Sequence, residues 1–307
     1  MACYLVCDFG GTKLSAAVME TTAVPHAASN WQSRQRVFSP PGADRAYDIQ
    51  TMIALGRELL AGRQPTAVGV SFGGPVNHQT GMVYLSHHVP GWESTPLQAI
   101  LAEAFAAPVF VDNDADIAAL GEYHFGAGQG LDSLFYVTVS TGIGGGWILN
   151  GRPWRGHQGL AGEIGHTLAD PAGPLCLCGK HGCVERLASG PYMAQDLAAR
   201  GVIGSPITGE RVAELAAQGQ PDAQEILQRG AWALGVGLGH AANFINPQRF
   251  VLGGGVTKSG DDWWRMVRQT AVATALPEFR FDIVPAALGD DAPLWGALAL
   301  AARLDKS

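Results

Sequence analysis

Three glycine-rich turns, each following a run of apolar residues, constrain the fold of this chain more than any other sequence feature. They lie in residues 8–13 (DFGGTK), 138–146 (TVSTGIGGG) and 251–256 (VLGGGV). An apolar run that stops at such a turn is typical of a buried strand, and glycine lets the turn backbone approach a ligand closely. Backbone N–H groups exposed in this way bind phosphate. The three turns predict an α/β protein with a ligand site built from loops.

The first turn carries a carboxylate as well as glycines. Asp8 ends the strand, and Gly10 and Gly11 follow it. Thr12 adds a hydroxyl group, so the turn suits a phosphate, with Asp8 placed to hold a hydrated Mg²⁺. It is not a P-loop, because no Gly-Lys-Ser/Thr follows, and an ordinary hairpin with a capping aspartate is the alternative. The three turns together favour an ATP site, two for the phosphates and residues 251–256 for the nucleoside.

Strand and helix patterns alternate along both halves of the chain. The strand pattern recurs at residues 3–7, 14–19, 67–72, 108–112, 133–140, 145–149 and 249–252. The helix pattern recurs at residues 99–105, 115–122, 192–200, 209–217, 223–245 and 293–303. Within the longest of these, Gly235 and Gly239 indicate close packing. Two units that each open with strand, glycine turn and strand predict a duplicated α/β fold with a cleft between its halves.

Composition and charge exclude several classes of protein. The 307 residues are 47% hydrophobic and 15% charged, which suits about two packed domains rather than a disordered tail. The formal net charge is −7 and there is no basic cluster, so nucleic acid is not expected as a partner. No apolar stretch reaches the ~18 residues of a membrane helix, and no basic segment precedes the first strand. We therefore expect a cytoplasmic protein with no membrane partner.

A cluster of carboxylates follows the strand at residues 108–112. In the segment VDNDADIAALGE, the residues Asp112, Asp114 and Asp116 lie where the strand turns into a helix. A carboxylate at such a corner is able to accept the proton of an attacking hydroxyl group. Capping of the helix N-terminus accounts for one of the three but does not require all of them. Composition alone leaves the choice among the three open.

Residues 159–185 contain a candidate metal site. One imidazole and three thiolates, a complete tetrahedral zinc set, come from His166, Cys176, Cys178 and Cys183. His181 is a rival fourth ligand, and buried cysteines without a metal are the alternative. Four protein ligands leave no open position, so we predict a structural zinc. The ion would fix the nearby Glu163 and Glu185, whose carboxylates can accept hydrogen bonds from vicinal hydroxyls of a sugar.

These motifs together resemble the ROK family (repressors, open reading frames and sugar kinases) of the actin-like, hexokinase-like superfamily. The resemblance runs nearly end to end, through DFGGTK, GVSFGGPVN, DNDADIAALGE, TVSTGIGGG, GEIGH, CLCGKHGCVE and NPQRFVLGGGV. GEIGH together with the cysteine motif is its most specific part. It implies the two-domain actin-like ATPase (ribonuclease H-like) fold with an interdomain cleft. We expect a smaller domain of residues 1–112 and about 291–307, and a larger one of residues 113–290.

The resemblance also implies roles for individual residues. Asp114 would be the catalytic base that accepts the proton of a sugar 6-hydroxyl group. The residues that would bind sugar hydroxyls are Asn113, Glu163, His166 (also on zinc) and Glu185. The residues that would bind the phosphates of Mg·ATP are Asp8, Gly10, Gly11, Thr12, Lys13, Thr141 and Gly142. Gly254 and Gly255 would lie near the nucleoside.

Two loops that are expected to line the sugar site depart from the pattern common in the family. GGP stands at residues 73–75 where many members have Pro-Gly-Pro, and SHH stands at residues 86–88 where many have Asn. We therefore place Gly74 and His87 in the sugar site and leave the choice of hexose open. Repressors of the family carry a helix-turn-helix domain before the first glycine turn. With that turn at Asp8, we expect no DNA-binding domain.

The sequence thus predicts an ATP-dependent kinase of a hexose 6-hydroxyl group. D-glucose is the first candidate, and N-acetylglucosamine or N-acetylmannosamine is the alternative; the donor, ATP or polyphosphate, stays open. A non-catalytic sugar sensor would have no need of Asp114 or the phosphate turns. A zinc module that binds a macromolecule conflicts with the acidic charge balance. The resemblance implies a homodimer or homotetramer, with sugar and ATP as its small-molecule partners.

Overall fold

The computed structural model describes residues 1–25, 27–86, 89–202 and 208–306. The chain forms two compact units. The first comprises Met1–Asp132, Gly146–Ala161 and Ala287–Ser307, and the second comprises Ser133–Gly145 and Gly162–Ala286. None of the helices formed within the described ranges is long and apolar enough to cross a membrane.

Each unit combines strands with helices. The strands of the first unit are β1 (Ala2–Phe9), β2 (Lys13–Thr21), β3 (Ser33–Phe38), β4 (Ala67–Phe72), β5 (Val76–Asn77), β6 (Met82–Val83), β7 (Thr95–Pro96), β8 (Val109–Asn113) and β11 (Arg152–Trp154). Its helices are α1 (Arg45–Leu60), α2 (Leu97–Phe105), α3 (Asp114–Phe125) and α9 (Ala292–Ala301). The second unit contains β9 (Ser133–Val139), β12 (Arg249–Gly253), β13 (Asp282–Pro285), α4 (Val184–Ala188), α5 (Gly190–Ala199), α6 (Gly209–Ala217), α7 (Pro221–Ile245) and α8 (Asp261–Thr274). The remaining strand, β10 (Ile143–Leu149), begins in the second unit and ends in the first.

The main sheet of the first unit has the strand order β3-β2-β1-β4-β8. β2 is antiparallel to both β1 and β3, whereas β4 is parallel to both β1 and β8. Helices cover both faces. On one face, Gly56 of α1 lies against Leu5 of β1. On the other face, Gly69 of β4 lies against Ala297 of α9. Coverage on both sides explains why every residue of β4 is buried, as is usual for a parallel strand.

A row of polar residues crosses this otherwise apolar sheet. The strand pairings align Arg36, Ser15, Asp8, Ser71 and Asp112 across the five strands. All of them except Arg36 are buried. In β1, β4 and β8 the row lies one residue before the carboxyl end of the strand. Open α/β sheets bind ligands just beyond this edge, so the row places polar chemistry where a ligand is expected.

Helix α3 belongs to the first unit because it packs closely on α9. A Cβ atom added at Gly121 would lie 2.6 Å from the carbonyl oxygen of Ala292, and one added at Gly296 would lie 1.7 Å from that of Ile117. No side chain fits at either position. The first unit therefore extends to Asp132 and also takes in residues 146–161, whereas the sequence led us to expect a boundary after residue 112.

The second unit is built around β12, which pairs in parallel with β9 on one side and β13 on the other. The close packing predicted for Gly235 and Gly239 is confirmed. A Cβ atom at either glycine of α7 would lie 2.8 Å from a carbonyl oxygen of α8, that of Val267 or Ala271. Two helices can approach this closely only where side chains are absent.

The predicted strands and helices are confirmed, with shifts of a few residues at their ends. The helix predicted over 223–245 begins at Pro221, and the one predicted over 115–122 extends to Phe125. The sequence patterns did not predict β3 or the short strands β5, β6, β7, β11 and β13. β3 (SRQRVF) is an edge strand with a polar sequence, so it lacks the apolar run that identifies a buried strand.

Candidate active site

The candidate active site centres on the corner at which β8 ends and α3 begins. Asn113 caps the helix, because its side-chain oxygen accepts hydrogen bonds from the N–H groups of Ala115 at 2.9 Å and Asp116 at 3.4 Å. Asp114 is the first helical residue, and its Oδ1 accepts from the N–H of Ala115 at 2.9 Å. The dipole of the helix favours negative charge at this position. The corner therefore presents a carboxylate in a defined position.

The three aspartates of this corner have different environments. Asp112 is buried and forms an ion pair with Arg155, whose Nε and Nη2 lie 2.6 Å and 2.5 Å from Oδ2. Asp116 is buried in the first turn of the helix. Asp114 is half-buried, and its Oδ2 lies 3.7 Å from where a Cβ atom of Gly73 would be. Of the three, Asp114 is the best placed to meet a ligand.

Burial, together with the negative charge of Asp8, raises the pKa of Asp114 to about 7. Burial also raises the pKa of Asp8 to about 6, although the positive charges of Lys13 and Arg36 lower it. Ser71 Oγ donates a hydrogen bond to Asp8 Oδ1 at 2.9 Å, which likewise favours the ionised form. A carboxylate with a pKa near 7 can take up a proton in a reaction and release it again at neutral pH.

The first glycine turn joins β1 to β2. It is closed by a 3.0 Å hydrogen bond from the N–H of Gly10 to the carbonyl oxygen of Lys13. A Cβ atom at Gly10 would lie 2.9 Å from the same oxygen, so this tight turn requires glycine. Thr12 is exposed, and Gly11 is half-buried. The turn therefore leaves Thr12 accessible, whereas the N–H of Gly10 is engaged within the turn.

Hydrogen bonds join this turn to the corner through Gly73 and Gly74. The N–H of Gly73 donates to the carbonyl oxygen of Phe9 at 2.9 Å. The side-chain amide of Asn113 donates to the carbonyl oxygen of Gly74 at 3.0 Å. The structure therefore brings Asp8, Gly74, Asn113 and Asp114 together, as predicted. His87, the other residue predicted to select the sugar, lies outside the described residues.

In the second unit, the second glycine turn lies against Glu185. The turn is closed by a 3.0 Å hydrogen bond from the N–H of Ser140 to the carbonyl oxygen of Gly142. Glu185 Oε2 accepts from the N–H of Ile143 at 2.9 Å, and a Cβ atom at Gly142 would lie 3.0 Å from that oxygen. The predicted phosphate-binding pair Thr141 and Gly142 is thus adjacent to a carboxylate predicted to bind sugar.

The third glycine turn follows β12, the strand next to β9. Gly254 has a φ of +92°, and a Cβ atom there would lie 2.4 Å from the carbonyl oxygen of Val139. Both the conformation and the contact require glycine. A Cβ atom at Gly255 would meet no described atom within 4 Å, so this part of the turn is open. The second and third turns thus follow neighbouring parallel strands.

The predicted zinc ligands form one cluster in the second unit. Ligand atoms within 4.8 Å of one another come from His166, Cys176, Cys178 and Cys183. Cys176 Sγ lies 3.9 Å from His166 Nδ1, and the Sγ atoms of Cys178 and Cys183 are 3.6 Å apart. A tetrahedron with zinc–sulfur bonds of about 2.3 Å has edges of about 3.8 Å. The donor set and its spacing therefore fit a zinc ion with four protein ligands.

The rival ligand His181 is placed differently. Its Nδ1 lies 3.1 Å from the carbonyl oxygen of Gly173, and it is not among the clustered ligands. Glu163 immediately precedes the 3₁₀ turn Ile164–His166 that carries the imidazole ligand. Glu185 lies in the first turn of α4, which begins directly after Cys183. The metal cluster therefore holds the chain on which both carboxylates lie.

Two residues that contact the candidate site were not predicted. Ser71 donates to Asp8, and Arg155 pairs with Asp112. Ser71 could have been found, because a serine in the buried strand VGVSF is out of place unless it has a polar partner. Nothing in the local sequence connects Arg155 with a residue more than forty positions earlier.

Comparison with known proteins extends these observations. The model of the ROK family matches residues 4–304. The glucokinase of Streptomyces coelicolor is 34% identical, with 97% of each chain covered, and the N-acetylmannosamine kinase of Escherichia fergusonii is 33% identical at the same coverage. A ROK family glucokinase from Streptomyces griseus, solved in complex with glucose and AMPPNP, is 30% identical. It superposes with a TM-score of 0.81 over 98% of this chain and 100% of its own.

The α/β architecture and these likenesses define a protein with the two-domain actin-like ATPase fold. Within that class, the chain belongs to the ROK family, whose model spans nearly all of it. The family and the fold predicted from the glycine turns, the aspartate corner and the cysteine motif are therefore both confirmed.

Proposed function

We propose that this chain is an ATP-dependent kinase of a hexose 6-hydroxyl group, with D-glucose as the first candidate substrate. The observation that carries the proposal is the half-buried carboxylate of Asp114, whose pKa of about 7 suits a general base. It lies at the end of a strand, within the electrostatic influence of Asp8 and its glycine turn. Membership of the ROK family supports the assignment, as does the glucokinase of Streptomyces coelicolor at 34% identity.

In the proposed reaction, the 6-hydroxyl oxygen of the sugar attacks the γ-phosphorus of ATP. The bond between that phosphorus and the β–γ bridging oxygen breaks, and ADP leaves with its electron pair. Asp114 takes the proton from the hydroxyl group and later releases it to solvent. Phosphoryl transfer asks little covalent chemistry of the protein, so positioning and charge stabilisation do the rest.

The two phosphate turns and the third turn share the nucleotide in this proposal. The groups assigned to the phosphates are Asp8, Gly10, Gly11, Thr12, Lys13, Thr141 and Gly142. Backbone N–H groups of the two turns, the hydroxyl groups of Thr12 and Thr141 and the ammonium group of Lys13 complement negative charge. Asp8, oriented by the hydroxyl of Ser71, is assigned to the hydrated Mg²⁺ of the substrate. Gly254 and Gly255 are assigned to the nucleoside, and the open space at Gly255 supports this.

Carboxylate, amide and imidazole groups are assigned to the sugar. They come from Asn113, Glu163, His166 and Glu185, with Gly74 and His87 in the lining loops. Glu185 uses Oε2 for the N–H of Ile143, which leaves Oε1 for a sugar hydroxyl group. In His166 the nitrogen nearest Cys176 is Nδ1, so Nε2 can meet the sugar when Nδ1 binds the metal.

Zinc has a structural role in the proposal. A closed set of four protein ligands leaves no coordination position for substrate or water. The ligands His166 and Cys183 bring with them the sugar-binding candidates Glu163 and Glu185, which lie close by in the chain. Binding of the ion therefore supplies folding free energy to the region that carries both carboxylates.

N-acetylmannosamine kinase is the second candidate function. The relative from Escherichia fergusonii bears that name at 33% identity, nearly as high as the glucokinase. The same reaction at the 6-hydroxyl group would serve N-acetylmannosamine or N-acetylglucosamine. A 2-acetamido group needs room near the loops that carry Gly74 and His87, where the sequence departs from the usual family pattern. The identity of the hexose therefore depends on these loops.

We propose further that the protein acts in the cytoplasm as a homodimer or homotetramer, as the family resemblance implies. Light scattering on the purified chain tests the assembly, since two or four copies of a 32.2 kDa chain differ twofold in mass. A mass of one chain at micromolar concentration contradicts this proposal without affecting the proposed reaction.

A coupled assay of ADP release tests the function. Mg·ATP is supplied with glucose, mannose, N-acetylglucosamine, N-acetylmannosamine or fructose, and the Asp114→Asn variant serves as the matched control. Fast turnover of one sugar by the wild type alone would support the kinase and identify its substrate. If the zinc-loaded wild type turns over none of these sugars with ATP or polyphosphate, the kinase proposal is wrong. Sugar binding without turnover would then favour the sensor.

A further inference from the structure

One ion pair of the first unit includes Asp112, the aspartate that precedes Asn113 and Asp114 at the corner. Arg155 follows β11, and its Nε and Nη2 donate to Oδ2 of Asp112 at 2.6 Å and 2.5 Å. The two side chains are only 12% and 3% exposed. Charge-assisted hydrogen bonds away from water are strong, and two donors on one oxygen restrict the orientation of the carboxylate. Asp112, a candidate base by sequence, is therefore engaged by Arg155.

The second oxygen of Asp112 holds the backbone of the corner. Oδ1 accepts from the N–H of Asn113 at 3.0 Å. Asn113 in turn caps α3 and donates its amide to the carbonyl oxygen of Gly74. Asp114 is the next residue in the chain. A series of hydrogen bonds thus runs from the guanidinium group of Arg155 through Asp112 to Asn113, and Asp114 follows Asn113 directly in the chain.

We infer that Arg155 is a positioning residue, which holds Asp112 and thereby fixes the orientation of Asn113 and Asp114 for phosphoryl transfer. This inference rests on the proposed function, in which Asp114 accepts the proton. Misplacement of a catalytic group by about 1 Å can cost about a hundredfold in rate. A purely stabilising role is the alternative. Buried ion pairs are weak evidence for such a role, since neutral replacement of both partners is often harmless to the fold.

The test therefore neutralises both partners together, in the double variant Asp112→Asn with Arg155→Met, so that neither member of the ion pair is left as an unpaired buried charge. We expect its melting temperature to stay within a few degrees of wild type. Its kcat should fall about tenfold or more, with the Kd for Mg·AMPPNP unchanged. Hydrogen exchange at the N–H groups of Ala115 and Asp116 should become faster, because the Asn113 side chain that caps α3 is no longer held in place.

Two further variants complete the design. Arg155→Lys keeps the charge but loses the planar pair of donors, so its kcat should lie between those of the wild type and the double variant. The matched control is Glu20→Gln with Arg63→Met, which neutralises a 3.0 Å ion pair of the same unit. Glu20 lies on β2 opposite Cys3, at the end remote from the glycine turn. This control should keep the wild-type kcat and the wild-type exchange rates.

Three results would overturn the inference. The first is a double variant with wild-type kcat, whatever its exchange rates. The second is a slow double variant whose exchange at Ala115 and Asp116 is unchanged, because Arg155 would then act by another route. The third is an equal loss of kcat in the control pair. If the wild type phosphorylates no hexose, the proposed function fails, while the exchange rates still report whether Arg155 holds the corner.

Discussion

The aspartate corner of the first unit and the zinc cluster of the second both bring together side chains that carry negative charge when ionised, and they are stabilised by different means. In the corner, Asp112 and Asn113 are held by partners from the chain itself, the Arg155 guanidinium group and backbone N–H groups. In the cluster, three thiols and one imidazole lie within 4.8 Å of one another, and this donor set is the one that binds a zinc ion through four protein ligands.

The two regions therefore differ in whether they need a metal ion to be stable. The corner is complete without a metal, and it retains a carboxylate with a pKa near neutrality, which is a property suited to a reaction. The cluster is complete only with its ion, so metal binding and folding are linked there. Changes at the corner should therefore act first on rate, and changes at the cluster first on stability.

The largest effect is expected for Asp114→Asn, which should lower kcat about 10² to 10⁴-fold, the usual contribution of a general base. The amide has the same size and keeps an acceptor for the N–H of Ala115, so the fold should persist. The coupled assay measures the rate, and circular dichroism checks the fold. A folded variant that retains more than a tenth of the wild-type rate would show that Asp114 is not the base.

The opposite behaviour is expected for Cys178→Ser. Loss of one zinc ligand should abolish the bound zinc, lower the melting temperature by more than about 5 °C and weaken sugar binding. Metal analysis, calorimetry and sugar titration measure the three effects. Cys3→Ala, which removes a thiol of the first unit, is the matched control and should keep its zinc. Unchanged melting and sugar affinity in Cys178→Ser would contradict a structural zinc.

A pH profile sharpens the contrast further. The base must be ionised, and its pKa of about 7 lies above the ordinary range of aspartate. The rate should therefore fall about tenfold for each pH unit below 7 and level off above it. Measurements of kcat/KM at saturating Mg·ATP from pH 5 to 9 give the profile. A profile that stays flat down to pH 5 would contradict the raised pKa.

A smaller, selective effect is expected for Glu185→Gln. The amide oxygen can still accept from the N–H of Ile143, so the second glycine turn should keep its shape. The hydrogen bonds that sugar hydroxyl groups donate to the charged carboxylate are lost, which should raise KM for the sugar about tenfold. KM for Mg·ATP should stay within about twofold. Equal changes in both constants would show that Glu185 serves the turn rather than the sugar.

The smallest effect concerns stability. Since the pKa of Asp114 is higher in the folded chain than in the unfolded one, the folded state binds more protons between pH 4 and 7, and this group lowers the free energy of unfolding as pH rises. Asp114→Asn should therefore melt a few degrees higher than wild type at pH 8, with no such gain at pH 4. Calorimetry of both proteins at pH 4 and pH 8 measures the difference in melting temperature. A lower melting temperature at pH 8 would contradict the prediction.

Much of the site could be predicted because its signals are local. A glycine turn after a strand, a carboxylate cluster at the start of a helix and three cysteines within eight residues each lie in a short segment. Asp112 and Arg155 show the limit of such signals. Composition made Asp112 a rival of Asp114, and only the partner brought in from residue 155 separates their environments.

The domain boundary shows the same limit. The domain division expected from the family resemblance placed α3 in the larger domain, because its boundary followed residue 112. In the structure α3 lies against α9, from the far end of the chain, through the close approach of Gly121 and Gly296. Glycines in a helix signal close packing but do not name the partner.

The sequence by itself therefore determined the family, the fold, the glycine turns and the cysteines of the candidate metal cluster, because each depends on residue types at short spacing. The tertiary structure decided which aspartate is accessible to a ligand, which histidine joins the cluster and which carboxylate forms a hydrogen bond to the second turn. These choices depend on burial and on partners distant in the chain, and both arise only when strands pair and helices pack.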